Sequence, residues 1–433
     1  MRAFAARWLS GDDRTLGAVL AVGVLTMAFF RLDRVRQFVG VAPADDLAPA
    51  LVMVTAALLW WTMLPRGFVW LDPAVLTWRD QDTDRRRLVA GRLATGWLAR
   101  LFAIGYALAL LAAVVGLGAR WVLAGAAVLA AAGLLALGAL RRVRRDPRRE
   151  ACVVLGLAAL AVALRPGPAV LFAAAAVLAV PAGWLLARSG PPARPEIADA
   201  GRVDLVAGWR DRLLRVVGVH FLDPTMLLPA GRPVRAWSLR RPAGPRLAVV
   251  GVAARARHLP TAVLLGLTAV AAGLALPGVP DEVTLVVLGY LALVPLAGGL
   301  GELWRSPGRR RWLGHTDTAL RAAHVLVFTG LAVAWALPVA GLGALAGAGW
   351  DTGVLVVVPL LAACAIRTVT GDPPTFDNPG AVDTPIGAMP VRIILRTLRG
   401  PDIGALALLF VLTSGPVVGA VAVALALVVA VLR

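Results

Sequence analysis

The sequence has no lysine at all, and only two cysteines, two tyrosines and four histidines in 433 residues. Each scarcity removes a class of chemistry. Without lysine the chain cannot form a Gly-x-x-x-x-Gly-Lys-Ser/Thr phosphate loop, so any ATP use must come from a separate subunit. Cys152 and Cys364 stand apart at the edges of apolar runs, with neither metal-ligand spacing nor a disulfide framework. His220, His258, His315 and His324 are scattered, and His315 and His324 are too far apart to share one helical face as metal ligands. His315–Asp317 ("HTD") reads better as a helix start. No metal and no cofactor is expected. Acidic residues are also few, 25 against 44 basic ones, and the long apolar runs contain almost none. Glu302 sits at the end of such a run. Secondary transporters usually need intramembrane acids, so this scarcity argues against ion-coupled transport.

What is present is apolar. The hydrophobic share is 59% and the charged share 16%, against about 45–50% and about 25% for soluble chains. This composition is that of an all-α, polytopic membrane protein with little soluble mass. The net charge of +19 is carried by arginine alone. The arginines lie in short loops between apolar runs, where membrane topology requires them, so nucleic acid is excluded as a partner and the lipid bilayer is implied.

A spanning helix needs about 20 mostly apolar residues. Twelve runs qualify: Leu16–Phe30, Leu47–Leu64, Leu98–Leu117, Trp121–Leu140, Ala151–Leu164, Pro168–Ala187, Leu259–Leu276, Val283–Gly301, Ala322–Leu342, Gly353–Ile366, Ile403–Thr413 and Pro416–Leu432. They group six and six. The short runs Ala151–Leu164 and Ile403–Thr413 are each followed closely by another, so 151–187 and 403–432 are either paired full spans or re-entrant hairpins. The first run has no small-residue cleavage site after it and is read as a retained span.

Arginine-rich loops alternate with arginine-poor ones. The rich loops are Pro65–Gly96, Arg141–Arg149, Arg188–His258, Trp304–Arg321 and Arg367–Arg399. By the positive-inside rule both termini are cytoplasmic, in a bacterial plasma membrane. One loop dissents: Arg31–Asp46 should lie outside yet carries Arg31, Arg34 and Arg36. Either these snorkel to the interface or the first span is misplaced. In the central stretch, Ser189–Glu196 is a proline-rich linker. Val203–Phe221 then places Val206, Trp209, Leu213, Val216 and Val217 near helical spacing, opposite most of its arginines, as in a helix lying in the membrane surface. Gly371–Asp402 is too rich in proline for a long helix before Val391, after which "VRIILRTLRG" reads as a basic amphipathic helix.

Shifting the sequence by 234 positions lays "WLDPAVLTW" over "WRSPGRRRW". Trp70 meets Trp304, Pro73 meets Pro307, and Trp78 meets Trp312. Asp72 meets Ser306, and both are good helix N-caps followed by proline at the first helical position. After one residue of slippage, Thr83-Asp84 meets Thr316-Asp317, each able to cap the following span. Both copies lie between the second and third spans of their half, so the expected plan is about 12 transmembrane helices as two parallel six-helix repeats. The units are 1–188 and 247–433, joined by a cytoplasmic linker, 189–246.

This plan resembles the type-2 permease of ATP-binding-cassette exporters, in the form of two six-span units fused, as in actinobacterial permease-like proteins. That family places a short coupling helix between spans two and three, an amphipathic connecting helix before span one, and a re-entrant pair near span five. The resemblance implies coupling helices at Asp72–Asp80 and Ser306–Gly314, with Trp70, Asp72, Pro73, Trp78, Trp304, Ser306, Pro307 and Trp312 as partner-docking residues. It also implies a separate ATP-binding subunit, expected as a dimer, and no catalytic residue in this chain. The chain departs from the family in lacking a sizeable extracytoplasmic domain, and its first connecting helix would span only Met1–Arg14. Two other classes compete. Asp33, Asp45 and Asp46 lie where a membrane glycosyltransferase using lipid-linked sugar would place acids, although Asp45-Asp46 also suits a helix start. A scaffold without transport would show the same topological pattern.

Overall fold

In this computed structural model of the chain, the described residues are 23, 26–27, 29–39, 48–63, 69–80, 82–142, 147–164, 166–187, 200–220, 224–232, 234, 244–347, 352–371, 381–384, 387–390, 395 and 397–432. Outside them lie most of the first expected span, the Met1–Arg14 connecting helix, Asp45-Asp46, the Ser189–Glu196 linker and half of "VRIILRTLRG".

The apolar runs fold as helices: α1 (Leu32–Val39), α2 (Ala48–Met63), α3 (Pro73–Trp78), α4 (Asp82–Val115), α5 (Ala119–Arg142), α6 (Pro147–Leu164), α7 (Pro168–Ala187), α8 (Arg202–His220), α9 (Gly244–Ala253), α10 (Leu259–Ala275), α11 (Asp281–Trp304), α12 (Pro307–Trp312), α13 (Asp317–Leu345), α14 (Val358–Val369) and α15 (Pro401–Leu432). Short 3-10 turns cover Pro224–Leu227, Ala256–His258 and Thr352–Val357. Among the described residues the fold is helical apart from a small antiparallel hairpin within the proline-rich stretch. There Ala381–Thr384 pairs with Gly387–Pro390, Ala381 opposite Pro390. Seven helices among the described residues are long and apolar enough to cross a membrane, which makes this a membrane-embedded protein.

Two buried clusters organise the packing. One fills the first half around α2, α4, α5 and α7. The other joins α10, α11, α13, α14 and α15. Helix α2 belongs to both, since alternate faces meet α5 and, together with α6, α10. A helix buried on every side needs no amphipathic stripe, and "APALVMVTAALLWWTM" has none. The Trp61 indole N–H donates to Thr261 Oγ1 at 3.0 Å across this seam. Helix α14 is the centre of the second half; every residue from Leu360 to Ile366 is buried.

Helix α4 starts earlier than its apolar run, and of the two stretches left open by the sequence, 151–187 forms the separate helices α6 and α7 while 403–432 folds back on itself. Helix α4 begins at Asp82, sixteen residues before the apolar run at Leu98, so the backbone of Thr83 lies inside its first turn and not at the preceding cap position. Helix α15 is not one long span. Gly415 has φ 82° and ψ 175°, a region open essentially to glycine alone. A Cβ on Gly419 would stand 3.0 Å from the Val411 Cα. Residues eight apart in a straight helix are about 12 Å apart along the axis, so the chain doubles back at Gly415. The arms, 401–414 and 416–432, measure about 21 and about 25 Å at 1.5 Å per residue, shorter than a bilayer core of about 30 Å. Asp402 fixes the start of this hairpin. Its carboxylate accepts from the Gly400 and Ile403 N–H groups and from Arg367 at the end of α14.

The dissenting arginines also find a place. Arg36 of α1 donates through Nε and a terminal nitrogen to Ala113 O, at 3.1 and 2.6 Å. Ala113 lies in the last turn of α4, whose carbonyls lack helical partners. Arg36 therefore serves as a C-terminal cap, a role that attracts a cation irrespective of membrane side.

Candidate docking site

Both stretches singled out by the repeat form a six-residue helix that begins at its proline and ends at its tryptophan. In α3 the Asp72 carboxylate accepts from Ala74 N at 2.9 Å, a side-chain cap. Leu76 is fully buried beneath the helix, beside Leu71 and Val69. In α12, Ser306 makes no side-chain cap hydrogen bond, and its φ/ψ of −121°/77° differ from the extended geometry of Asp72. The expectation that Ser306 caps as Asp72 does is therefore wrong. Thr316 does cap α13, accepting from Ala319 N at 3.2 Å.

Trp78 and Trp312 end their helices almost wholly exposed, at 86% and 91%. Trp70 and Trp304 behave in the opposite way. Trp70 is half-buried, with the Arg92 and Arg212 guanidinium carbons 4.2 and 4.5 Å from its ring centroid. Trp304 is 6% exposed, with Arg310 and Arg321 at 4.4 and 4.6 Å. Each of these rings thus sits between two cations, close enough for cation–π attraction. The four tryptophans among the eight predicted positions therefore divide into one gripped ring at the root of each helix and one exposed ring at its tip.

Three of the four gripping arginines were invisible as such in the sequence, because they come from other elements. Arg92 lies on α4 and Arg321 on α13. Arg212 lies on α8, which reaches α3 across more than a hundred residues of chain. Arg202, also on α8, donates to Thr77 Oγ1 at 3.4 Å and pairs with Asp80 at 3.8 Å. Asp80 also holds Arg85 at 3.4 Å. Helix α8 therefore lies against α3 by Leu205, which is buried, while Leu213, Leu214 and Val216 stay exposed. The stripe expected on Val206 and Trp209 is only half-buried, and the outward apolar positions are those a surface helix would turn to lipid.

Two residues before Trp304, Glu302 forms a contact that sequence reasoning missed. Its carboxylate pairs with Arg255, whose side chain is 2% exposed. The Arg255 guanidinium also donates to Pro229 O at 2.9 Å and Gly251 O at 3.2 Å. Burial pushes the Arg255 pKa down, and Glu302 beside it opposes that shift. The guanidinium lies against bare backbone. A Cβ on Gly298 would stand 2.7 Å from Arg255 Nε, and one on Gly299 2.9 Å from the Gly251 Cα. The run "GGLGELW" (298–304) was the available signal: glycines one turn before an isolated acid leave room for a buried arginine.

Among the described residues no group of three or more histidines, cysteines or acids could hold a metal. Cys152 is exposed and Cys364 buried, both free thiols. His324 donates to or accepts from nothing beyond its own helix that would serve chemistry; its Nδ1 meets Leu320 O at 2.7 Å. Residues 230–379 match a family described as a family of unknown function (DUF6297). That stretch contains the Arg255–Glu302 elbow, α12 and α14, and leaves α3 and α15 outside. No curated protein and no solved structure matches the chain.

Proposed function

We propose that the chain is the membrane permease subunit of an ATP-driven exporter, working with an ATPase supplied by a separate protein. In this reading its halves are parallel repeats in a bacterial plasma membrane, with the termini and both short helices on the cytoplasmic side. The observation that carries the reading is the pair Trp78 and Trp312. A bulky apolar ring left open at the tip of a rigid, proline-started helix has no stabilising role within its own chain, and it occurs at the same point of both halves. Exposed aromatics of this kind serve either as interface anchors or as contacts for a partner. The gripped Trp70 and Trp304 below them hold each helix in place, as a docking surface requires. The absence of lysine supports the reading, because the energy source must then be external.

The test is copurification of a candidate ATPase with the full chain, and ATP hydrolysis by the complex. Trp78→Ala with Pro73→Ala, and Trp312→Ala with Pro307→Ala, should each weaken assembly about tenfold, as loss of one aromatic contact does. All four together should weaken it further. Unchanged assembly in all three would make both segments ordinary positive-inside loops.

A further inference from the structure

The elbow between α9 and α10 gathers four arginines from three separate chain segments around one point. Arg255 occupies it, followed by the 3-10 turn Ala256–His258 and the first residue of α10, Leu259. A strap from the α8 side crosses it: Arg232 N donates to Ala254 O at 3.0 Å, and Arg257 donates to Ala230 O at 3.1 Å. Arg305 follows directly on α11. These groups lie within electrostatic reach of one another, Arg257 of Arg232, and Arg255 of both Arg257 and Arg305. Among the described residues two carboxylates face them. Glu302 is bound to Arg255 and to Gly231 N–H, and Asp211 of α8 acts on Arg257. Four cations against two anions leave two positive charges in excess.

The excess sits on the outside. Arg232, Arg257 and Arg305 are exposed, whereas Arg255 is sealed within. Immediately beyond them the surface turns apolar: Leu259 and Val263 are exposed, four residues apart on one face of α10. The sequence of features, arginines first and then an apolar stripe running into the membrane, matches a phospholipid with its phosphate down and its acyl chain up. A free phosphate would use the first feature and ignore the second.

We propose that this elbow binds the headgroup of an anionic phospholipid through Arg232, Arg257 and Arg305, with an acyl chain along Leu259 and Val263. Basic clusters beside spanning helices bind such headgroups, and each arginine contributes attraction that falls off within a Debye length. The site adjoins α12 only through Arg305 and uses no residue of α3 or α12. It places a bound lipid against the strap that ties α8 to Glu302.

The experiment is native mass spectrometry of the delipidated full chain with phosphatidylglycerol and phosphatidylcholine of equal chain length. The parent should retain one phosphatidylglycerol in preference to phosphatidylcholine. Arg232→Gln with Arg305→Gln, which spares the strap contact of Arg257, should reduce that retention roughly tenfold to thirtyfold. Val263→Ser keeps every arginine and should weaken retention more modestly, so a folding defect in the double variant does not decide the outcome. Arg309→Gln with Arg311→Gln removes equal charge from α12 and should retain the lipid as the parent does. Equal retention in parent and double variant would overturn the site. So would an equal loss in the α12 control, no preference over phosphatidylcholine, or displacement of the lipid by millimolar inorganic phosphate.

Discussion

Helices α3 and α12 have the same length and the same proline and tryptophan ends, yet they are held by different forces. Helix α3 is neutral between its ends, capped by Asp72, and rests on the fully buried Leu76. Its outer side is braced by α8, through Arg202 and Arg212. Helix α12 buries none of its own residues and lacks a side-chain cap. It is held by charge: Arg310 pairs with Asp317 at 3.2 Å and lies over Trp304, which Arg321 covers from α13. The difference teaches that a short surface helix can be fixed either by burying its own apolar residue or by clamping the residue that precedes it. The first device resists salt. The second depends on Trp304 being sealed in, since an exposed ion pair such as Arg310–Asp317 adds about 0.2–1 kcal/mol at most.

The largest test falls on that clamp. Trp304→Ala removes a buried ring and should cost about 3–5 kcal/mol. Trp70→Ala, at a half-buried ring, should cost less. Thermal denaturation of the two variants in detergent compares them directly. Equal losses would mean that the two tryptophans do the same job and that the contrast drawn here is mistaken.

The next test falls on the buried device. Leu76→Ala should cost about 2–5 kcal/mol, and hydrogen exchange within 73–78 should accelerate while that within 307–312 stays unchanged. Acceleration in both segments would indicate that the helices are linked rather than separately fixed.

The smallest test sharpens the capping difference. Asp72→Ala should cost about 1 kcal/mol and speed exchange at Ala74. Ser306→Ala should have no measurable effect, because no cap is lost. A matching loss in both would show that Ser306 caps α12 in solution.

Much of this arrangement was legible in the sequence. Proline at the first helical turn, a preceding aspartate and an arginine-rich setting are local signals, and they located both short helices to within two residues of their ends. Membrane class followed from hydropathy, because a run of apolar residues is unaffordable in water whatever it packs against. Where the reading failed, a local rule met a local competitor: α4 starts at Asp82, before Thr83, and Ser306 did not cap because its backbone leaves the extended geometry a cap needs. The end of the second half was readable only as two alternatives, since a glycine before a proline permits either a kink or a reversal.

By itself, then, the sequence determined the helical, membrane-embedded character of the chain and the positions of the two short helices, because these depend on residues close together in the chain. Tertiary structure alone decided which tryptophans are gripped and which are free, that α8 braces α3, that Arg255 is sealed by Glu302, and that Gly415 reverses the chain. Each of these depends on which surfaces meet after the helices pack. Identical residue types at matched positions, Trp70 with Trp304, end in different surroundings because their neighbours come from elsewhere in the chain.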